Sequence, residues 1–152
     1  LLVVITNQRG IARGLMSEAD LAALHGRMQA EPGRAGAAVD AIFHCPHEIA
    51  AGCGCRKPRP GMIEAALCRF PVDRERSWVV GDSLSDLEAG RAAGIRGVLV
   101  ARRGEPRPAG VATAGSLLAV LHMQFFGSFD AVSPAPTPTN AAAPIPDSSG
   151  LG

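Results

Sequence analysis

Between Cys45 and Met62 the sequence reads CPHEIAAGCGCRKPRPGM, which places three thiols and one imidazole within eleven residues. Cys45, His47, Cys53 and Cys55 supply the four nitrogen and sulfur ligands that a tetrahedral zinc ion takes. The pincers are C-x-H and C-x-C, tighter than the common C-x-x-C. Pro46, Gly52 and Gly54 permit the sharp turns needed to wrap a chain around an ion. A disulfide between two of the thiols is the other use of such a cluster. Arg56 and Lys57 follow at once, a planar fork of donors beside a compact ammonium, both suited to phosphoryl oxygens. Further along, Asp82 closes the run WVVGD and Asp86 stands one helical turn beyond it, so both carboxylates can face one crevice. Hard oxygen ligands at a strand end suit magnesium, with a helix N-cap as the purely structural alternative for Asp82. Near the start, Thr6 ends an apolar run where open α/β sheets bind ligands, and its hydroxyl can hold a phosphate oxygen.

These groups need elements to position them. The apolar run Leu1 to Thr6 reads as a parallel strand covered on both faces. Ser17 is an N-cap, assisted by Asp20, for a helix over about residues 18 to 31 with Leu21, Leu24 and Met28 on its inner face. Pro32 and Gly33 are expected to stop it. Val39 to His44 is a second strand leading into the cysteine loop, and Met62 to Phe70 a helix burying Ile63, Ala66, Leu67 and Phe70. Ser77 to Gly81 is a third strand, and Ser83 to Ala93 a helix burying Leu84 and Leu87, which Gly94 ends. Gly97 to Ala101 is a fourth strand and Ser116 to Phe126 a last helix. Strands alternating with helices predict a three-layer, Rossmann-like α/β domain with a parallel sheet.

A chain of 152 residues allows one domain and little more. Its hydrophobic fraction of 47% supports a core, and an aromatic fraction of 4% makes that core aliphatic. With a formal charge of +1 and interspersed signs, no basic stripe or stacking platform points to nucleic acid. No apolar run approaches the roughly 20 residues needed to span a bilayer. Four cysteines, three of them clustered, fit a reduced cytoplasm with a metal site better than a disulfide framework. Cys68, outside the cluster, reads as a small buried hydrophobe. From Gly127 onward Pro, Ala, Ser and Thr dominate, so residues 1–126 read as the domain and 127–152 as a disordered tail.

Three separated motifs, TNQ-x-G-I-A-R-G, CPH…C-x-CRKP-x-PGM and VVGDS-x-x-D-x-x-A-G, resemble the haloacid dehalogenase superfamily of phosphatases. They resemble in particular its branch of heptose-bisphosphate and histidinol-phosphate phosphatases, over about residues 3 to 104. The resemblance implies a phosphatase that removes a phosphoryl group from a sugar bisphosphate through an aspartyl-phosphate, with histidinol phosphate as the alternative substrate. It implies that Thr6 and Lys57 act on the transferring phosphoryl group. Asn7, Gln8, Arg9 and Arg56 would bind substrate, and Asp82 would bind catalytic magnesium. It also makes the Cys45, His47, Cys53 and Cys55 loop a structural zinc site. The expected partner is a small phosphorylated sugar, with neither nucleic acid nor membrane, and the complete enzyme is expected to be a cytoplasmic monomer.

Two departures matter. Arg9 stands where family members commonly have Ser after TNQ, adding a potential phosphate contact. The family's D-x-D-G-T segment, which supplies the nucleophile and the central strand between the TNQ and VVGD strands, has no room before Leu1. The expectation is therefore a sheet lacking its amino-terminal central strand, in a truncated enzyme. A zinc-stabilised pseudo-enzyme that holds phosphosugars without hydrolysing them is the other expectation.

Overall fold

The computed structural model describes residues 1–33, 38–101 and 108–126. The disordered tail expected over 127–152 lies outside the described residues. Strand β1 (Val3–Asn7) leads to helix α1 (Glu18–Gly33), and β2 (Ala41–Cys45) enters the cysteine loop, which contains a 3-10 turn at Ile49–Ala51. Helix α2 (Gly61–Arg69), β3 (Trp78–Gly81), α3 (Leu84–Ala92), β4 (Arg96–Val100), β5 (Thr113–Ala114) and α4 (Leu117–Phe126) follow. All strand pairs are parallel, as expected of strands connected through helices.

The strands form two ladders. One pairs β1 with β2, matching Val3 to Ala41 and Asn7 to Cys45. The other has the order β3-β4-β5, matching Trp78 to Arg96 and Val100 to Ala114. No strand pairing joins them among the described residues. Packing does so instead: Ile63 of α2, Val79 of β3 and Ala89, Ala93 and Ile95 of the α3–β4 unit form one apolar cluster, against which Ile5 of β1 and Leu67 are placed. A second cluster of Val98, Ala114 and Val120 lies under α4.

Glycine sets how closely α3 approaches its sheet. A Cβ on Gly90 would stand 2.9 Å from a methyl of Val79, and one on Gly97 would stand 2.8 Å from Leu87. The helix therefore rests its Ala89–Gly90 face directly on β3 and lays Leu87 over β4. Leu84, expected to be buried, is 48% exposed. It occupies the first helical position, beyond the end of β3, and the inward places are filled by Asp86, Ala89 and Gly90.

Other expectations also change. The strand read as doubly covered is half-buried along its length, and Leu1 and Leu2 are exposed, because β1 has one strand neighbour among the described residues. Leu21 is fully buried, but Leu24 and Met28 lie on the exposed side of α1. The helix runs on through Pro32 to Gly33 rather than stopping before them. Cys68 is exposed on α2, whose inner face is made by Met62, Ile63 and Ala66. The cap of α1 forms as read: Ser17 Oγ accepts from Asp20 N at 3.1 Å, and Asp20 Oδ2 accepts from Ser17 N at 3.0 Å.

Candidate active site

Thr6 and Asn7 lie at the carboxyl end of β1, and Gly81 ends β3 with Asp82 directly after it. The loop after β2 brings Lys57 between the two strand ends. Its ammonium donates to Ile5 O at 3.1 Å and meets Asp86 Oδ1 at 2.5 Å. Both partners of that ion pair are nearly enclosed, at 12% and 9% side-chain exposure. Removing either partner of a buried pair costs far more than an exposed one, because the remaining charge loses both water and its counterion. This contact thus ties the β1 ladder to α3.

Asn7 holds the peptide of the same residue. Its Oδ1 accepts from Lys57 N at 3.1 Å and its Nδ2 donates to Lys57 O at 3.3 Å. The expectation made Asn7 a substrate ligand, yet both ends of its amide are spent on Lys57. Gln8 likewise turns inward, donating from Nε2 to Thr6 Oγ1 at 3.2 Å. Arg56 is part-buried, and its Nη1 is enclosed with no hydrogen-bond partner among the described residues. An unpaired buried guanidinium nitrogen is costly, and an anion is the group that relieves it.

On the opposite rim, Ser83 caps α3 in a reciprocal box: its Oγ accepts from Ser85 N at 3.3 Å, and Asp86 Oδ2 accepts from Ser83 N at 3.1 Å. The N-cap alternative for Asp82 is thereby set aside, because Ser83 fills that role. Asp82 is exposed, without a hydrogen bond or ion pair among the described residues, and so is available to a cation. Gly81 makes room for Asp86, whose carboxylate fills the space that a Cβ at position 81 would need. Asp86 was legible as a second carboxylate one turn after Asp82, but its function as the Lys57 counterion was not.

In the cysteine loop, Cys45 Sγ lies 3.5 Å from both Cys53 Sγ and His47 Nδ1. Cys55 Sγ lies 3.4 Å from Cys53 Sγ and 3.3 Å from His47 Nδ1. All four donor atoms fall within 4.8 Å of one another. A zinc tetrahedron with ordinary bond lengths has edges of about 3.6–3.8 Å, so these donors fit such an ion after opening by a few tenths of an ångström. A disulfide requires sulfurs about 2 Å apart, and the thiols are free, which removes the disulfide alternative. Burial raises the Cys53 thiol, but hydrogen bonds from Cys55 and Cys45 outweigh it and bring the group down to about 7. Burial and the neighbouring sulfurs push Cys55 up to about 12. The loop is braced by Arg59, which donates to Cys53 O at 2.8 Å and also to Gly52 O. Gly61 N donates to Gly54 O at 3.1 Å, an approach that a Cβ on Gly61 would block at 2.6 Å.

Known proteins resemble this chain in sequence and fold. A protein from Pseudomonas aeruginosa described as D-glycero-beta-D-manno-heptose-1,7-bisphosphate 7-phosphatase is 42% identical over 125 residues, covering 78% of this chain and 70% of that protein. The chain belongs to the haloacid dehalogenase-like hydrolases. The HAD-hydrolase-like family model matches residues 54–117, from the cysteine loop through β5 to the first residue of α4. A Pseudomonas putida phosphatase of the same description is 46% identical over 99 residues, covering 65% of this chain and 57% of its own length. The chain thus spans little more than half of some curated relatives of this hydrolase. The crystal structure of D,D-heptose 1.7-bisphosphate phosphatase from B. bronchiseptica, complexed with magnesium and phosphate, superposes with a TM-score of 0.74 at 39% identity. That match covers 83% of this chain and 74% of the other. No described helix of the hydrolase is long and apolar enough to cross a membrane.

Proposed function

We propose that this hydrolase serves the removal of one phosphoryl group from a sugar bisphosphate, with a heptose 1,7-bisphosphate as the substrate. The observation that supports this best is the Lys57 ammonium, fixed between Ile5 O of β1 and Asp86 in the first turn of α3. The relatives named above carry heptose bisphosphate in their descriptions, which favours that substrate over histidinol phosphate.

Lys57 and the Thr6 hydroxyl bind the oxygens of the transferring group, where fixed donors stabilise charge without reorganising. Asn7 positions Lys57 through its peptide, and Gln8 orients the Thr6 hydroxyl. Arg56, with its unpaired Nη1, takes an anionic part of the substrate. Asp82 would hold magnesium, which neutralises phosphoryl oxygens when bound. Cys45, His47, Cys53 and Cys55 would hold zinc, whose task is to keep the Arg56–Lys57 loop in shape. The attacking carboxylate of the family belongs to a D-x-D-G-T segment, a motif that these 152 residues do not contain.

Calorimetry and phosphate release test this reading. The 152-residue chain is expected to bind heptose 1,7-bisphosphate in the presence of magnesium and to release no phosphate, since losing a nucleophile costs about 10⁴- to 10⁶-fold in rate. With a D-x-D-G-T segment joined ahead of Leu1, release of the 7-phosphate should become magnesium-dependent. No release of the 7-phosphate after that segment is joined, or release that ignores magnesium, would overturn the assignment; release by the 152 residues alone would show instead that another residue supplies the nucleophile.

A further inference from the structure

The loop after β1 carries Arg9, expected above to contact phosphate, and Arg13, which the site described so far does not use. Arg13 N donates to Arg9 O at 3.2 Å, which makes one helical turn and sets the two side chains on the same side. Both guanidiniums face a single carboxylate on the cysteine loop. Arg13 Nε stands 3.6 Å from Glu48 Oε1, and Arg9 Nε stands 4.0 Å from Glu48 Oε2. The same two loops are joined through the backbone, by Gln8 N donating to Cys45 O at 2.7 Å and Ala12 N donating to Pro46 O at 3.3 Å. The arginines therefore sit on a braced rim rather than on a free surface loop.

Three features point to an anion. Arg9 follows Thr6 by three residues, so their Cα atoms lie within about 11 Å of each other. Glu48 approaches each arginine at Nε, at 4.0 and 3.6 Å, distances longer than a charged hydrogen bond. All three side chains are roughly half exposed, and ion pairs of this length and exposure are weak and readily exchanged. A phosphoryl group brings more charge and more acceptor oxygens than one carboxylate, and two planar forks match it well.

We propose that Arg9 and Arg13 form a binding pair for the second phosphoryl group of a bisphosphate substrate, with Glu48 holding the pair until that group replaces it. The proposal rests on the sugar-bisphosphate reading above and adds the residues that select a bisphosphate over a monophosphate. Glu48 is then a specificity-determining residue that competes with the ligand.

The test is calorimetry on the full chain, loaded with zinc and magnesium, using heptose 1,7-bisphosphate and heptose 7-phosphate as probes. Arg9→Ser and Arg13→Gln should each lower bisphosphate affinity by about tenfold, the worth of a charged hydrogen bond, with 7-phosphate affinity unchanged. Glu48→Gln should raise bisphosphate affinity alone. Zinc content is measured in every variant, because Glu48 neighbours His47; the two arginine variants lie outside the ligand set and decide the matter if Glu48→Gln loses metal. Equal weakening of both probes by the arginine variants, or weaker bisphosphate binding by zinc-loaded Glu48→Gln, would overturn the proposal. Should 7-phosphate fail to bind the unaltered chain, the phosphatase reading falls and this proposal with it. Should it bind while the bisphosphate preference survives both arginine replacements, this proposal alone falls.

Discussion

Lys57 is held from three directions: by Asn7 at its peptide, by Ile5 O and by Asp86 at its ammonium. A flexible ammonium binds a phosphoryl group poorly until its position is fixed, and this arrangement supplies the fixing that the proposed role of Lys57 requires. Lys57→Met leaves Asp86 enclosed without its counterion, so it should cost about 3–5 kcal/mol of stability as well as phosphate binding. Urea unfolding checks the first effect, and an unchanged midpoint would mean that the pair is more hydrated than its exposure indicates. Asn7→Ala makes a finer probe, since it spares the ion pair and removes two hydrogen bonds to the Lys57 peptide. It should weaken phosphate binding with a smaller loss of stability than Lys57→Met. The thiols yield a pH prediction. With Cys53 near 7 and Cys55 near 12, zinc must displace protons to bind. Zinc affinity should therefore rise as pH rises from 6 to 8, as measured by chelator competition; a flat profile would exclude thiolate ligation.

At the scale of elements, the start of α3 does two tasks with one carboxylate. Asp86 closes the capping box with Ser83 through Oδ2 and pairs with Lys57 through Oδ1. Both contacts depend on Gly81, because a side chain there would occupy the carboxylate's place. Gly81→Ala should displace Asp86, cost about 1–3 kcal/mol by overpacking, and loosen Lys57 at the same time. Thermal unfolding together with magnesium-dependent phosphate binding checks this; a variant with normal stability and binding would show that α3 can shift without cost. The cysteine loop is built on the same plan, with Gly61 admitting the carbonyl of Gly54 so that the chain folds back across Cys55, Arg56 and Lys57.

For the molecule as a whole, the two ladders are coupled by side chains rather than by strand pairing among the described residues. The β3-β4-β5 ladder has the better core: Val98 is fully enclosed and Leu99 nearly so, whereas every residue of β1 is half-buried. Regions with less enclosed apolar surface open at lower free energy. Amide exchange at Val98 and Leu99 should accordingly be slower than at Val4 and Ile5. Equal protection in both ladders would mean that Ile5 packing and the Lys57–Asp86 pair weld them into one cooperative unit.

Much of this was legible in the chain itself. The clustered donors Cys45, His47, Cys53 and Cys55, which could hold a metal ion, lie within eleven residues, and ligand type and number are local properties. The β/α alternation was readable for a similar reason, since each element is a short run with its own periodicity and caps. Thr6, Lys57 and Asp82 could be singled out from strand ends and motif order. Tertiary structure alone decided what these residues touch. Asn7 and Lys57 are 50 positions apart, and nothing in either neighbourhood tells that the amide will clamp the peptide. Asp86 as the counterion of Lys57, and Glu48 between Arg9 and Arg13, arise in the same way from loops brought together by the fold. The exposed Leu84, Leu24 and Met28 teach the same lesson from the opposite side. Periodicity tells which residues share a face, but the neighbour that covers the face, or leaves it open, is chosen only when the elements pack.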